Sequence, residues 1–150
     1  MSTDHEISVL NGLIKTTLDS MKGFDDAAKD AESTRFKTIF EEFARDRSAV
    51  ASKLQTEVRA LGGDPEEHSS FIASAHRAFM DLKQALAGKD DKAIVEEVER
   101  GEDYIKGKFE SALEDNELST STQAVVREAY ASVRAGHDRA RALKQSLASG

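Results

Sequence analysis

Leu61-Gly62-Gly63-Asp64-Pro65-Glu66-Glu67 decides how this chain is divided. Two glycines after a leucine stop a helix, because glycine alone enters the left-handed turn of a helix C-cap without strain. The following Asp-Pro pair offers an N-cap and a first-turn proline, and Glu67 completes capping-box spacing, so the segment predicts one helix ending near residue 61 and another starting near 66. Pro65 is the single proline in 150 residues, so the rest of the chain must be punctuated by changes of helical phase and by short caps.

Upstream, Thr3 and Glu6 have capping-box spacing, and Ile7, Leu10, Ile14, Met21, Phe24 and Ala28 recur at helical intervals. This predicts a helix over 4–31. A second stripe runs through Phe36, Ile39, Phe40, Phe43, Val50, Leu54, Val58 and Leu61. Continuing the first face would reach Arg35, Thr38, Glu42 and Arg45, so the phase breaks at Glu32-Ser33-Thr34 and a new helix, 34–61, starts from a Ser or Thr cap. Downstream, Phe71, Ile72, Ala75, Phe79, Leu82 and Leu86 predict a shorter helix over 66–87, closed by Gly88. Asp90 or Asp91 then caps a helix over 91–115 with Ile94, Val98, Glu102, Ile105, Phe109 and Ala112 on its face. Ser119 or Thr120 starts the last, 120–148, through Val125, Val126, Ala129, Val133, Ala140, Leu143 and Leu147.

Four long helices with one shorter helix between the second and third predict a single all-α domain, a four-helix bundle over 1–150. The short helix carries the chain back along the bundle, which makes the second and third long helices parallel, the ferritin-like arrangement.

Composition narrows the function classes. With no cysteine, the chain has no disulfide framework, thiolate metal site or cysteine nucleophile. Asp and Glu number 28 against 21 Lys and Arg, and a net charge of -7 repels nucleic acid and anionic lipid. The basic cluster Arg134, Arg139, Arg141 and Lys144 is read as favourable charge near a helix C-terminus. No apolar run approaches the ~20 residues of a membrane span. The polar, acidic start lacks the features of a secretory signal, so a cytoplasmic location is expected.

With this layout the chain resembles a bacterial family of uncharacterised, ferritin-like four-helix-bundle proteins of about this length. The residues that carry the likeness are Gly23-Phe24, Ala27-Ala28, Asp46-Arg47, His76-Arg77, Glu99-Arg100-Gly101-Glu102-Asp103 and His137-Asp138. The resemblance implies a fold and no established activity. The wider ferritin-like class implies di-iron or di-manganese chemistry, which needs Glu-x-x-His on two helices. The residues three before each histidine are Ser2, Pro65, Ala73 and Arg134, none of them Glu. No metal or cofactor is therefore expected, and no catalytic residues are assigned.

Glu102 lies on the apolar face of its helix, where an ionised carboxylate needs a partner. Arg47 lies on the apolar face of the second helix, between Phe43, Val50 and Leu54. Arg47 is 13 residues past position 34 and Glu102 is 11 past position 91, so at ~1.5 Å per residue their levels differ by about 3 Å. This predicts a buried Glu102–Arg47 pair, joined by Thr17 and Arg134 at similar height and by His137 at the stripe's edge. Gly101 and Gly136 would provide room. The layer is read as a pairing device fixing register, or as a site where Glu102, Arg47 and His137 hold a small anion or water. His76 and Arg77 form a secondary candidate, and His5 is expected to be solvated.

The expected function is a non-enzymatic bundle that associates with itself, as a homodimer, or with a protein partner. Leu13, Leu18, Met80 and Leu113 lie off the main stripes as partner-facing residues. Metal binding or oxidoreductase chemistry of the ferritin-like class is the alternative, and small-molecule binding in the core near Thr17 and Glu102 is a third.

Overall fold

The computed structural model describes residues 3–67, 73–88 and 90–149, and the side chains of all of these except 73–79 and 147–149. Five helices and no strand occur among them: α1 (Thr3–Asp30), α2 (Thr34–Ala60), α3 (Ala73–Gly88), α4 (Asp91–Leu113) and α5 (Thr120–Ser149). No helix among the described residues is long and apolar enough to cross a membrane.

Short polar caps set most of the boundaries. The Ser33 hydroxyl accepts from the Phe36 amide, and the Asp90 carboxylate accepts from the Lys92 and Ala93 amides. Leu61 ends α2, Gly62 takes φ 84°, and the amides of Gly62 and Gly63 turn back to the carbonyls of Arg59 and Val58. That double closure is a Schellman motif, and it needs glycine at the left-handed residue.

Two of the expected caps are absent. Residues 63–67 are not helical, and the helix expected from 66 is described only from Ala73. Asp64 and Pro65 do not start it because α1 and α2 hold this backbone outside a helix. Asn11 donates to the Asp64 carbonyl and accepts from the Glu66 amide, and Gln55 donates to the Glu66 carbonyl. Gly63 lies against Ile7 so closely that a Cβ there would meet its Cδ1 at 2.7 Å. At the N-terminus α1 already includes Thr3, and Glu6 does not fold back onto it. The Glu6 carboxylate instead accepts from the amide of Ser119, which precedes α5.

These contacts fix the topology. Glu6 at the start of α1 meets Ser119, Glu57 near the end of α2 accepts from Ser121 and Thr122, and His5 bonds Asp115 just past α4. The start of α1, the end of α2, the end of α4 and the start of α5 therefore share one end of the bundle. Hence α2 and α4 run parallel to each other and antiparallel to α1 and α5. α1 packs along α2 and α4, and α5 packs along α4 and α2, which leaves α2 and α4 facing each other across a diagonal. α3 lies against α1 and α4.

The core has two parts. One cluster holds Leu10, Ile14, Leu54, Val58, Ile105, Phe109, Val126 and Val133; the other holds Phe24, Phe36, Phe40, Phe43, Leu82, Ile94, Val98 and Ala140. On every long helix the boundary falls at one level: between Leu18 and Phe24, Phe43 and Val50, Val98 and Ile105, Val133 and Ala140. The second cluster is an aromatic stack, with Phe24 centred 4.8 Å from Phe43 and 6.0 Å from Phe40.

His5 is partly exposed, as its position at a helix start suggested, but it is not free in solvent. Its Nε2 lies 2.7 Å from the Asp115 carboxylate, and that bond raises its pKa above 6.5. Glu6 is shifted the other way, below 4.5, chiefly by its bonds from Ser119. The signs give a pH window for this end of the bundle. The His5 contribution is present below about 6.5 and is lost as pH rises through the raised folded value, while the Glu6 contribution is present above about 4.5 and is lost as pH falls through the lowered one. The deficit in melting temperature of His5→Asn relative to the parent is expected to shrink from pH 6 to pH 8.5. That of Glu6→Gln is expected to shrink from pH 6 to pH 3. Parallel melting curves across that range would expose either sign error.

Candidate functional site: a charged layer between two apolar clusters

Arg47 lies where the two clusters meet and is 0% exposed. A guanidinium taken out of water needs acceptors on its N–H groups, and each of its nitrogens has one. Nη2 donates to Glu102 Oε2 across the α2–α4 diagonal, Nη1 donates to Asp46 Oδ2 at 2.9 Å, and Nε donates to the Ser20 hydroxyl at 3.2 Å. Its plane also stands 5.7 Å from the ring centre of Phe43, a cation–π contact. Glu102, 1% exposed, supplies the opposing charge. Burial pushes its carboxyl above the usual glutamate value, while the charge and hydrogen bond of Arg47 pull it back.

Gly136 lets α5 close over this group. A Cβ at that position would stand 3.0 Å from the Phe43 ring and 3.1 and 3.3 Å from the two terminal nitrogens of Arg47. Gly101 has no such role, since nothing lies within 4 Å of where its Cβ would be. The two glycines should therefore respond oppositely to the same change. Gly101→Ala is expected to stabilise by ~0.5–1 kcal/mol from helix propensity. Gly136→Ala is expected to destabilise, because Arg47 is held at every nitrogen and has little freedom to retreat. Urea melts of the two variants measure both signs.

His137 borders the layer, with its side chain 12% exposed, and its Nε2 is 2.5 Å from Asp103 Oδ1. Two side-chain atoms among the described residues are buried without a hydrogen-bond partner, Glu102 Oε1 and His137 Nδ1.

The other expected members of the layer are placed differently. Thr17 is buried, but its hydroxyl donates to the Leu13 carbonyl of its own helix at 2.7 Å and leaves Ser20, one turn on, to meet Arg47. Arg134 is exposed, because its position in α5 faces away from the diagonal, and it takes no part. His76 and Arg77 lie on α3 in the stretch whose side chains are outside the described residues. Sequence reasoning missed Ser20, Asp46 and Asp103. Ser20 lies three residues past Thr17 on the same face of α1. Asp46 and Asp103 are the chain neighbours of Arg47 and Glu102, and Asp46, half-buried, and Asp103, exposed, have no apolar phase by which to be noticed.

At the end of the bundle, His5, Asp115 and Glu117 bring one imidazole and two carboxylates within 4.8 Å of one another. His5 is 3.5 Å from Glu117 as well as bonded to Asp115, so the trio is joined by ion pairing.

No curated protein matches the chain. Residues 5–116, from the first turn of α1 to just past α4, match the model of a domain of unknown function, DUF2383, and the chain belongs to that family.

Proposed function

We propose that this protein is a ferritin-like bundle that works by association, with a second copy of itself as the partner, and not by chemistry in its interior. The burial of the Arg47–Glu102 pair carries the reading. A guanidinium has no lone pair with which to ligate a metal, and here it supplies from the chain the positive charge that a central ion would bring. With the centre filled by its own side chains, function moves to the outer faces. The parallel α2 and α4, joined through the segment containing α3, support the ferritin-like assignment.

The outer face between α1 and α4 has the character a two-fold contact needs. Tyr104 is 45% exposed there, beside a shallow groove that also takes in Val9 and Leu13. Lys15 and Lys108 share the groove with the buried Asp19 and with Asp115, which is bonded to His5, so the face carries both signs of charge. Among the residues expected to face a partner, Met80 is exposed, whereas Leu13 and Leu18 are buried in the core and Leu113 is half-buried against it. α1 packs against α2, α3 and α4, so it buries a wider arc than a single stripe. Sedimentation velocity over a wide concentration range is expected to show a dimer, and Tyr104→Lys is expected to shift it towards monomer. A parent chain that stays monomeric at high concentration would overturn the reading.

A further inference from the structure

Three side chains able to ligate a metal converge at the end of the bundle where α1 begins and α4 ends. His5 comes from the first turn of α1, and Asp115 and Glu117 come from the connection between α4 and α5. One ligand atom of each lies within 4.8 Å of the other two. His5 Nε2 is 2.7 Å from Asp115 Oδ2 and 3.5 Å from Glu117 Oε2. The connection is folded to make this possible. The Glu117 amide donates to Asp115 Oδ1 at 2.9 Å, which leaves Oδ2 for α1 and sets Glu117 beside it.

A tetrahedral ion with bonds of ~2.0–2.2 Å holds its ligand atoms about 3.3 Å apart. The His5–Glu117 separation is already of that size. The His5–Asp115 separation reaches it by opening a few tenths of an ångström, once an ion replaces the proton between them. The side chains of His5 and Glu117 are 36% and 65% exposed, so they can adjust, and the site stays open to water. Metal binding displaces the proton of the ring. Two carboxylates then face the ion, and Glu6 adds to the negative field at His5.

The donor types select the ion. Magnesium and calcium take oxygen ligands, whereas an imidazole with carboxylates and no thiolate suits zinc and its neighbours in the first transition row. We propose that His5, Asp115 and Glu117 form a surface site for one divalent ion of the zinc class, with water completing its coordination. The ion ties the first turn of α1 to the α4–α5 connection, where the Ser119 amide already bonds Glu6. The site is remote in the fold from the Arg47 layer. It is also independent of the association reading, since one copy supplies all three ligands.

The test is calorimetric titration of zinc chloride into the full chain after chelator treatment, near neutral pH. Expected are one zinc per chain with micromolar affinity, a saturable shift of the His5 ring signals in NMR, and no binding of magnesium chloride. Loss of an outer partner of a metal ligand costs ~10–100-fold in affinity, so removal of a ligand should cost at least that. Glu117→Gln is the cleaner variant, because its side chain is exposed and the bond to Asp115 Oδ1 uses its backbone amide. Zinc should raise the melting temperature of the parent and leave that of Glu117→Gln nearly unmoved. A parent that binds no zinc, or binding that survives unchanged in either His5→Asn or Glu117→Gln, would overturn the proposal.

Discussion

Glu102→Gln is expected to lower the stability of the bundle by ~3–5 kcal/mol, the usual cost of leaving one partner of a buried pair uncompensated. At ~2–4 °C per kcal/mol for a chain of this size, the melting temperature should fall by on the order of 10 °C. Arginine cannot shed its charge, so the Arg47 guanidinium would stay ionised at the cluster boundary with Asp46 as its remaining carboxylate. The converse variant should behave differently. In Arg47→Met the buried Glu102 carboxyl loses the charge that opposes its upward shift, so it takes up a proton in mild acid and the penalty shrinks as pH falls. The Glu102→Gln penalty has no such relief. Replacing both residues, Arg47→Met with Glu102→Leu, is expected to recover most of the loss, because neither charge is then buried. Urea denaturation of the three variants at pH 5 and pH 7.5 measures all of this. A Glu102→Gln protein as stable as its parent would end the account of the layer given above.

Phe43→Ala carries the second large effect, again ~3–5 kcal/mol. Phe43 is the joint between the aromatic stack and the charged layer. Phe24 stacks on it at 4.8 Å, and Arg47 and Arg139 stand 5.7 and 5.6 Å from its ring centre. Truncation would leave a cavity with Phe24 on one side and the Arg47 guanidinium on another, a site that can neither collapse nor stay dry cheaply. Phe43→Leu keeps most of the volume and loses the ring face, and should cost ~1–2 kcal/mol. Equal losses in the two variants, measured by urea denaturation, would show that volume plays no part.

Much of this architecture could be read from the chain because it depends on local rules. Helical phase separates α1 from α2 where no glycine or proline marks the turn, and the stripes of α4 and α5 contain most of the buried residues of those helices, with Val95 and Thr122 buried outside them. Phase also sets Arg47 and Glu102 on apolar faces, and the structure puts the two in contact. The signals failed where a local preference lost to a distant partner. Asp64-Pro65 reads as a helix start in isolation, but Asn11 and Gln55 claim the backbone there. Glu6 reads as a capping-box residue, but a helix more than a hundred positions away takes its carboxylate. Arg134 has the right height and the wrong azimuth, and counting residues along an axis gives only height.

The start of α5 draws its acceptors from the opening half of the chain. Glu6 holds the Ser119 amide and Glu57 holds the Ser121 and Thr122 hydroxyls. Val126, Ala129 and Val133 then form the fourth wall of the first cluster. Until α5 has been made, Leu10, Leu54 and Phe109 have no such wall, and two carboxylates face inward without their donors. Closure of the first cluster thus waits on α5 in synthesis, and the nascent stage that holds only α1 to α4 is the one most in need of protection from its neighbours.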